Sequence, residues 1–241
     1  MKSVIVTGDS RGVGLEIVKT ILENSEYRVV GISRKINDIT KALSDKYNGR
    51  FVHIDFDMSN VDGIKDLYKK KLKEFSPIVG FVNNAALAYD DIITNLNSVK
   101  LEDMYKVNVF APFMLTKYVL RDMLLHKQVG SIVHISSISA HTGYKGLAMY
   151  ASSKGALEAF SKNTAREWGA IGVRSNVVCP GFMETEMSST LSEDQKNRIY
   201  KRNSMKKPTK ISCVASTVNF LLSSGSSSIT GEVIHVDSGT I

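Results

Sequence analysis

Short apolar segments alternate with longer amphipathic segments along the whole chain. The apolar segments are four to six residues long and rich in β-branched residues, which is typical of buried strands. The amphipathic segments predict helices, and the two longest span Leu101–His126 and Met149–Gly169. The predicted strands are Val4–Thr7, Arg28–Ile32, Phe51–Ile54, Gly80–Asn83, Ser131–Ser136, Arg174–Cys179 and Val233–Val236.

This alternation predicts the α/β class, with a seven-stranded, doubly wound parallel sheet and helices on both of its faces. No repeat or linker divides the chain, so we expect a single domain over residues 1–241. One polar and charged segment, at about 182–203, departs from the compact pattern. Within it, Ser192 and Gln195 predict a capping box at the start of a short helix.

A glycine-rich loop, Gly8–Gly14, joins the first predicted strand to the first predicted helix. Glycines at such a junction allow a tight turn and let the backbone approach a pyrophosphate at the helix N-terminus. The spacing is G-x-x-x-G-x-G, which differs from the commoner G-x-G-x-x-G. A strand-to-helix turn that binds nothing is the alternative. The order of strand, glycine loop and helix favours dinucleotide binding.

Ser137, Tyr150 and Lys154 are the candidate reactive groups. Tyr150 and Lys154 are four residues apart, which places them one turn apart on the same helix face. A phenol has an ordinary pKa of about 10, and we expect the neighbouring ammonium to lower it. Ser137 follows the fifth predicted strand, from where its hydroxyl can bond a carbonyl oxygen that Tyr150 protonates. Such a set suits carbonyl reduction or its reverse, although the Tyr–Lys spacing alone also occurs by chance.

Together these features resemble the short-chain dehydrogenase/reductase superfamily over nearly the whole chain. Within that superfamily the chain is most similar to 3-oxoacyl-[acyl-carrier-protein] reductases, notably at Pro180–Met187. Three departures are Asp9 for a small residue, which we expect close to phosphate, and Ala86 and Ser238 for glycines. The matching motifs are Thr7–Gly14, Asn83–Ala86, Asn108, Ser137 thirteen residues before Tyr150, Pro180-Gly181, and Ile229–Gly231 with Val236–Gly239.

The resemblance implies a Rossmann-type fold and an oxidoreductase that reduces a ketone to a secondary alcohol. Its catalytic set would be Asn108, Ser137, Tyr150 and Lys154. Tyr150 would deliver the proton, and Lys154 would lower the tyrosine pKa and hold the nicotinamide ribose. Asn108 would support a water that relays protons to Lys154. The segment at about 182–203 would be a lid that closes over substrate and excludes water.

The cofactor is expected to be NADP(H). The second strand ends at Ser33, where an acidic residue would bond the ribose hydroxyls of NAD. Arg34 follows it and Arg11 lies in the glycine loop, so two guanidiniums suit a 2′-phosphate. The alternative is that Arg34 only caps a surface turn. By resemblance the cofactor contacts are Gly8, Ser10, Arg11, Gly12, Val13, Gly14, Ser33, Arg34, Asp57, Met58, Asn84, Ala85, Ala86, Tyr150, Lys154, Pro180, Gly181, Met183 and Thr185.

The net charge of +7 and the pI near 9.3 raise the question of a nucleic-acid or membrane partner. The basic clusters Lys69–Lys71 and Lys201–Lys207 are not interleaved with stacking aromatics, so we expect no nucleic-acid binding. A basic surface would instead attract acidic substrates or an acidic carrier protein. No apolar run is long enough to span a membrane and no leader precedes the first strand, which indicates a cytoplasmic protein.

The cysteines and histidines have no metal-type spacing, and no metal is expected. Cys179 and Cys213 both lie in apolar sequence, which predicts reduced, buried thiols. His53 and His134 lie within predicted strands and are interpreted as packing residues. His141, four residues after Ser137, is the one histidine that could touch substrate.

The substrate and the direction of reaction stay open. The family's carrier-docking arginines correspond to Gln128 and Ile171 here, with only Lys127 adjacent, which disfavours a carrier-bound acyl substrate. A sugar or another small ketone, and a dehydrogenase acting on the alcohol, are the enzymatic alternatives. A non-catalytic dinucleotide sensor or scaffold is the alternative from another class.

The family usually assembles as a tetramer through the two longest helices. We therefore expect a homotetramer or a homodimer. Large apolar groups for this interface are supplied by Phe110, Phe113 and Met114 on the first helix and by Leu157 and Phe160 on the second. The alternative is that all of them face the sheet of their own subunit.

Overall fold

Seven parallel strands form one sheet in the order β3-β2-β1-β4-β5-β6-β7 in the computed structural model, which describes residues 1–185 and 192–241. The predicted fold class is confirmed, and each strand lies within two residues of its predicted bounds. The strands are β1 (Ser3–Thr7), β2 (Arg28–Ser33), β3 (Phe51–Asp55), β4 (Ile78–Asn83), β5 (Gly130–Ile135), β6 (Val173–Pro180) and β7 (Val233–Val236).

Helices cover both faces of this sheet. The α-helices are α1 (Gly12–Asn24), α2 (Asp38–Lys46), α3 (Ile64–Leu67), α4 (Ser98–Tyr105), α5 (Ala111–Leu125), α6 (Ala148–Trp168), α7 (Glu193–Tyr200) and α8 (Ile211–Leu222). Two π-helical segments span Tyr68–Leu72 and Lys106–Phe110, and short 3₁₀ turns span Lys73–Phe75, Ile93–Asn95, Ile138–Ala140, Gly169–Ile171 and Ser224–Ser226. The predicted capping box at the start of α7 is present, since Ser192 and Gln195 bond each other's backbone.

The core has two halves because successive strand residues point to opposite faces of the sheet. Val4 and Val6 of β1 pack with α1 and α8 on one face. Ile5, between them, packs with α5 on the other face. All five residues of β1 are buried, as expected for a parallel strand covered on both sides.

The long predicted helix at Leu101–His126 is interrupted by the π-helical segment Lys106–Phe110, which lies between α4 and α5. Pro112 provides a physical reason, because it has no N–H to donate to the carbonyl of Asn108, four residues earlier. Irregular turns of this kind are frequent at functional sites. Asn108, a predicted catalytic residue, lies at the centre of this one.

Two sequence expectations about apolar residues are corrected. Leu157, predicted at a subunit interface, is fully buried in the core of its own chain, and Phe113 and Phe160 stack with ring centres 3.8 Å apart. Phe110 keeps 47% of its surface exposed, so self-association through it stays a prediction. Cys213 is exposed rather than buried, because it lies on the outer face of α8. Among the described helices, none has the length and apolar character to cross a membrane.

Candidate active site

The predicted site residues gather at one edge of the sheet. Gly8, Asn84, Ser137 and Gly181 each follow a strand, at the carboxyl ends of β1, β4, β5 and β6. All strands are parallel, so these ends meet at the same edge. The order reverses between β1 and β4, and ligands of such sheets bind in the crevice at this switch point.

The glycine loop folds so closely that two of its residues must be glycine. Gly8 has a φ of +73°, in the left-handed region that favours glycine. A Cβ on Gly14 would lie 2.0 Å from the Gly8 carbonyl oxygen and 2.5 Å from Nδ2 of Asn84. The Gly8 amide donates to the Ile32 carbonyl at 2.7 Å, which ties the loop to β2.

Thr7 and Asn84 lock the glycine loop to the segment after β4. The Thr7 hydroxyl accepts from the backbone amides of Asn84 and Ala85, both at 3.1 Å. The Asn84 side chain donates in return to the carbonyls of Thr7 at 3.0 Å and Gly8 at 3.3 Å. The walls of the crevice are therefore held by hydrogen bonds at the switch point itself.

Asp9 occupies a different place from the one expected. Its carboxylate is fully buried and lies 2.7 Å from Nδ1 of His53 on β3. Gly31 makes room for this contact, because a Cβ there would lie 2.0 Å from Oδ2 of Asp9. The side chain thus crosses under β2 instead of facing a phosphate. Nε2 of His53 also contacts the Asp55 carboxylate at 3.1 Å.

His53 is held between these two carboxylates. Burial disfavours its charged form, but the hydrogen bonds and charges of Asp9 and Asp55 outweigh burial and raise the pKa of His53. The imidazolium then compensates the buried charge of Asp9. His53 is therefore part of a charge pair beneath the glycine loop and not only a packing residue.

The structure brings Lys154 to the end of β5. Lys154 is 2% exposed, and its Nζ donates to the Ile135 carbonyl at 2.8 Å. The same Nζ lies 5.6 Å from the centre of the Tyr150 ring. Ser137, two residues after Ile135, accepts at Oγ from the Ser139 amide at 3.2 Å.

Burial controls the protonation of this pair. It lowers the pKa of Lys154 to about 8. Burial also raises the pKa of Tyr150, and the charges of Asp90 and Cys179 add to that effect. Desolvation therefore dominates at the phenol, and the lowering of the Tyr150 pKa by Lys154 stays a prediction. Tyr150 is a phenol at neutral pH, the form that can donate a proton.

His134 lies in β5 beneath Lys154. Burial, together with the charge of Lys154, lowers the pKa of His134 to about 3. Its ring makes edge contacts with Phe81 and Phe160. His134 is thus a neutral packing residue, as interpreted from its place in a strand.

Asn108 anchors the chain after β4. Its Nδ2 donates to the Leu87 carbonyl at 2.9 Å and to Ser153 Oγ at 3.0 Å, and its Oδ1 accepts from the Leu87 amide at 2.8 Å. Both amide hydrogens are therefore engaged. The predicted support of a relay water would have to come from other atoms of this residue.

The remaining predicted cofactor residues lie at the end of β2, after β3 and after β6. The Ser33 hydroxyl, at the end of β2, is buried and has no hydrogen-bond partner among the described residues, while Arg34 next to it is exposed. Met58 departs from the prediction, because its side chain is 4% exposed and packs in the core, so only its backbone can face an adenine. Met183 packs partly against the core, and Thr185 ends the described segment before the predicted lid, of which residues 186–191 lie outside the description.

These features fit a nicotinamide dinucleotide. The cradle at Gly8 and Gly14 admits a pyrophosphate close to the backbone, and the start of α1 presents its amides there. The Ser33 hydroxyl at the end of β2 has no hydrogen-bond partner among the described residues, and a ribose hydroxyl or phosphate oxygen could supply one. Arg34, the next residue, is exposed.

Two contributors were not found from sequence. The Asp9–His53 pair was signalled only by the departure at Asp9, because the distance from β1 to β3 in sequence hides the contact. Asp90 raises the pKa of Tyr150 from the segment after β4, and no motif marks it.

A doubly wound sheet with this cradle and this tyrosine–lysine pair defines a dinucleotide-dependent oxidoreductase. The model of the family "short chain dehydrogenase" matches residues 2–196, and the chain belongs to that family.

Relatives and solved structures agree with this assignment. The chain is 33% identical over 238 residues to 3-oxoacyl-[acyl-carrier-protein] reductase FabG of Salmonella typhimurium and to that of Escherichia coli, covering 99% of this chain and 96% of each relative. Among solved structures it is similar to ElxO with NADP bound, at 27% identity and a TM-score of 0.89 with coverage of 99% and 98%. It is also similar to a blue fluorescent protein from a metagenomic library in complex with NADPH, at 25% identity and a TM-score of 0.90 with coverage of 99% and 97%.

The buried charge pair generates a stability prediction. His53→Ala leaves the Asp9 carboxylate unpaired, and we expect the free energy of unfolding at pH 6 to fall by about 3–5 kcal/mol. Since the pKa of His53 is raised, its contribution is complete below the ordinary 6.5 and is lost as pH rises through the raised value. Urea unfolding followed across this range measures both effects.

His235→Ala is the matched control, because that histidine is exposed on β7 and forms no ion pair among the described residues, so its removal should change stability little. Wild-type stability in His53→Ala would contradict the charge pair.

Proposed function

We propose that this chain uses NADPH to reduce a ketone to a secondary alcohol, with Tyr150 as the proton donor. The observation that carries the proposal is the Tyr150 ring 5.6 Å from the buried Nζ of Lys154 at the carboxyl edge of the sheet. When bound, the cofactor supplies the hydride. The chain's own residues then have to hold the carbonyl and deliver one proton to its oxygen.

Ser137 and Tyr150 meet the carbonyl oxygen in this proposal. Ser137 Oγ accepts from the Ser139 amide, which leaves its hydroxyl hydrogen to donate to substrate. Tyr150 donates the second bond and transfers its proton as negative charge develops on the oxygen. Lys154 uses one N–H for the Ile135 carbonyl and keeps two for a ribose and for the electrostatic support of the tyrosinate that forms.

The protonation of Tyr150 favours reduction over the reverse reaction. Oxidation of an alcohol needs the phenolate as a base, and burial and Asp90 both disfavour that form. Reduction starts from the phenol. A dehydrogenase running toward the ketone is therefore the second candidate, favoured only at high pH.

NADPH is proposed over NADH because of the charges near the end of β2. No carboxylate ends that strand, and Ser33, Arg34 and the loop residue Arg11 supply a hydroxyl and two guanidiniums. A guanidinium binds a phosphate in a bidentate way, which a ribose hydroxyl does not offer. Relatives with NADP or NADPH bound support this choice.

The proposed substrate is a 3-oxoacyl thioester or another small ketone, held with weak dependence on a carrier protein. The named relatives act on 3-oxoacyl groups of an acyl carrier protein. Gln128 and Ile171, however, put no cation at the two carrier-docking positions, and Ile171 exposes an apolar side chain there. Lys127, which precedes Gln128 in the chain after α5, is the adjacent cation. A sugar as substrate and a non-catalytic sensor are less favoured, the sensor because it has no need of all four polar groups.

The first test is Tyr150→Phe, assayed by NADPH consumption with a ketone panel that includes acetoacetyl pantetheine. We expect turnover to fall by about 10² or more and the Kd for NADPH to stay within about twofold, because only the proton donor is lost. Tyr105→Phe is the matched control. The Tyr105 hydroxyl bonds Ser152 on α6, the helix that also carries Tyr150, and we expect this variant to retain activity. Near-normal turnover in Tyr150→Phe would refute the mechanism.

The second test is the pH profile of reduction. Because burial lowers the pKa of Lys154 to about 8, the lysine loses its charge as pH rises through that value. We expect kcat/KM to be level below about pH 7 and to decline above about pH 8, where the neutral lysine no longer supports a tyrosinate. A profile that stays level to pH 9.5 would contradict this role of Lys154.

The third test addresses cofactor choice through Arg34→Asp. Losing a charge-assisted bond worth about 1.5–3 kcal/mol should weaken NADPH by about 10–150-fold and change NADH much less. Lys41→Asp on α2 carries the same charge change at an exposed position and should leave both affinities unchanged. Equal affinity of the wild type for NADH and NADPH would overturn the assignment.

A further inference from the structure

We propose that His141, Cys179 and His235 form a zinc site at the carboxyl edge of β5, β6 and β7. Their candidate ligand atoms, two imidazole nitrogens and one sulfur, all lie within 4.8 Å of one another. None of the three belongs to the proposed catalytic set. The site is independent of the proposed reduction and would stand if that function failed.

The sheet itself brings the three residues together. Cys179 and His235 are register partners on the neighbouring strands β6 and β7. His141 directly follows the 3₁₀ turn that begins after β5. Its ring centre lies 4.8 Å from that of His235, with the two rings nearly perpendicular at 81°. Three separate segments of the chain thus converge on one point.

The donor set and the spacing suit zinc. Zn²⁺ takes imidazole nitrogen at about 2.0–2.1 Å and thiolate sulfur at about 2.3 Å in a tetrahedron, which places ligand atoms about 3.5 Å apart. The observed upper limit of 4.8 Å requires a closure of about 1 Å. Cys179 is fully buried on its strand and is the fixed ligand, whereas both histidines are exposed. In the proposed site the His235 side chain turns toward the sulfur while Glu158 holds His141, and the exposed histidines leave an entry path for the ion.

An outer set of polar groups already orients His141. Its Nε2 lies 3.0 Å from the Glu158 carboxylate, which leaves Nδ1 as the free nitrogen. Glu158 is 9% exposed and in turn accepts from the Ser136 hydroxyl at 2.5 Å. A carboxylate that holds the second nitrogen of a histidine is the usual support of a zinc ligand, because it fixes the tautomer and raises the ligand's basicity.

Three protein ligands leave the fourth zinc position to a water. This composition is typical of zinc sites that keep an open position, whereas fully structural sites use four protein ligands. Burial raises the pKa of the Cys179 thiol to about 12, with the charges of Glu158 and Asp237 adding to it, so the free thiol keeps its proton. Zinc binds the thiolate, so the ion must displace that proton when it binds.

Sequence spacing could not reveal this site. The ligands are separated by 38 and 56 residues, which follows from positions 141, 179 and 235, and zinc motifs recognised from sequence place at least two ligands within a few residues. The convergence arises only from the parallel order of β5, β6 and β7.

The experiment titrates tag-free, reduced protein with Co²⁺ and then displaces it with Zn²⁺. Cobalt in a tetrahedral site with one thiolate gives intense visible bands and a near-ultraviolet sulfur-to-cobalt band. We expect one equivalent of Co²⁺ to produce both and Zn²⁺ to abolish both. Wild-type protein without these bands would overturn the proposal.

Variants assign the ligands. Cys179→Ser should lose the sulfur-to-cobalt band, and the exposed His235→Ala should weaken Co²⁺ at least tenfold without unfolding the chain. Cys213→Ser and His126→Ala are the matched controls, because they remove the other cysteine and a partly exposed histidine outside the site. Unchanged binding in His235→Ala, or loss of binding in Cys213→Ser, would refute the assigned ligands.

Thermal unfolding provides a readout that does not depend on cobalt. A ligand at 100 times its Kd raises the Tm of a chain of this size by about 5–10 °C. We expect Zn²⁺ to produce such a rise in the wild type, EDTA to reverse it, and His235→Ala to lack it. A rise of equal size in that variant would mean that the ion binds elsewhere and would overturn the site.

Discussion

The clamp between Thr7 and Asn84 is the constraint on which the functional edge of this protein depends. At the switch point the chain ends of β1 and β4 lose their strand partners, and their amides and carbonyls need others. Thr7 and Asn84 supply them through four hydrogen bonds. The glycines then follow as a consequence, because a side chain on Gly14 would occupy the space of Asn84. These four hydrogen bonds thus shape the cradle and hold its two walls in place.

Burial, more than pairing of charges, determines the chemistry next to this clamp. Lys154 sits almost without solvent contact on a backbone carbonyl, and Tyr150 is desolvated beside it. Desolvation disfavours the charged form of each group, the ammonium and the phenolate. It therefore lowers the pKa of the lysine and raises the pKa of the tyrosine. The result is a pair in which the tyrosine keeps its proton and the pKa of the lysine falls to about 8. The effect expected from the Lys154 charge on the tyrosine pKa is opposite in direction to this desolvation.

The sequence was sufficient for the strands, the doubly wound parallel sheet and the position of the glycine loop, because β-branched runs and glycine spacing report local backbone requirements. It was insufficient wherever a contact depends on packing between distant segments. Asp9 contacts His53, the side chains of Met58 and Leu157 are buried in the core, and Cys213 is exposed. Each outcome depends on which neighbour fills the adjacent space, and periodicity contains no such information.

The same physical reason explains why polar clusters accumulate at this edge. Parallel strands bury both faces, so the interior of the sheet admits few charges, whereas the carboxyl ends open into loops. Asp9 with His53 lies beneath the glycine loop, Lys154 with Tyr150 lies after β5, and Cys179 with His141 and His235 lies at the ends of β5, β6 and β7. The first pair neutralises itself, and the second is held by a backbone carbonyl. In the third cluster, Glu158 already holds His141. The sulfur and one ring nitrogen of each histidine lie within 4.8 Å of one another, and such a set of donors binds a cation.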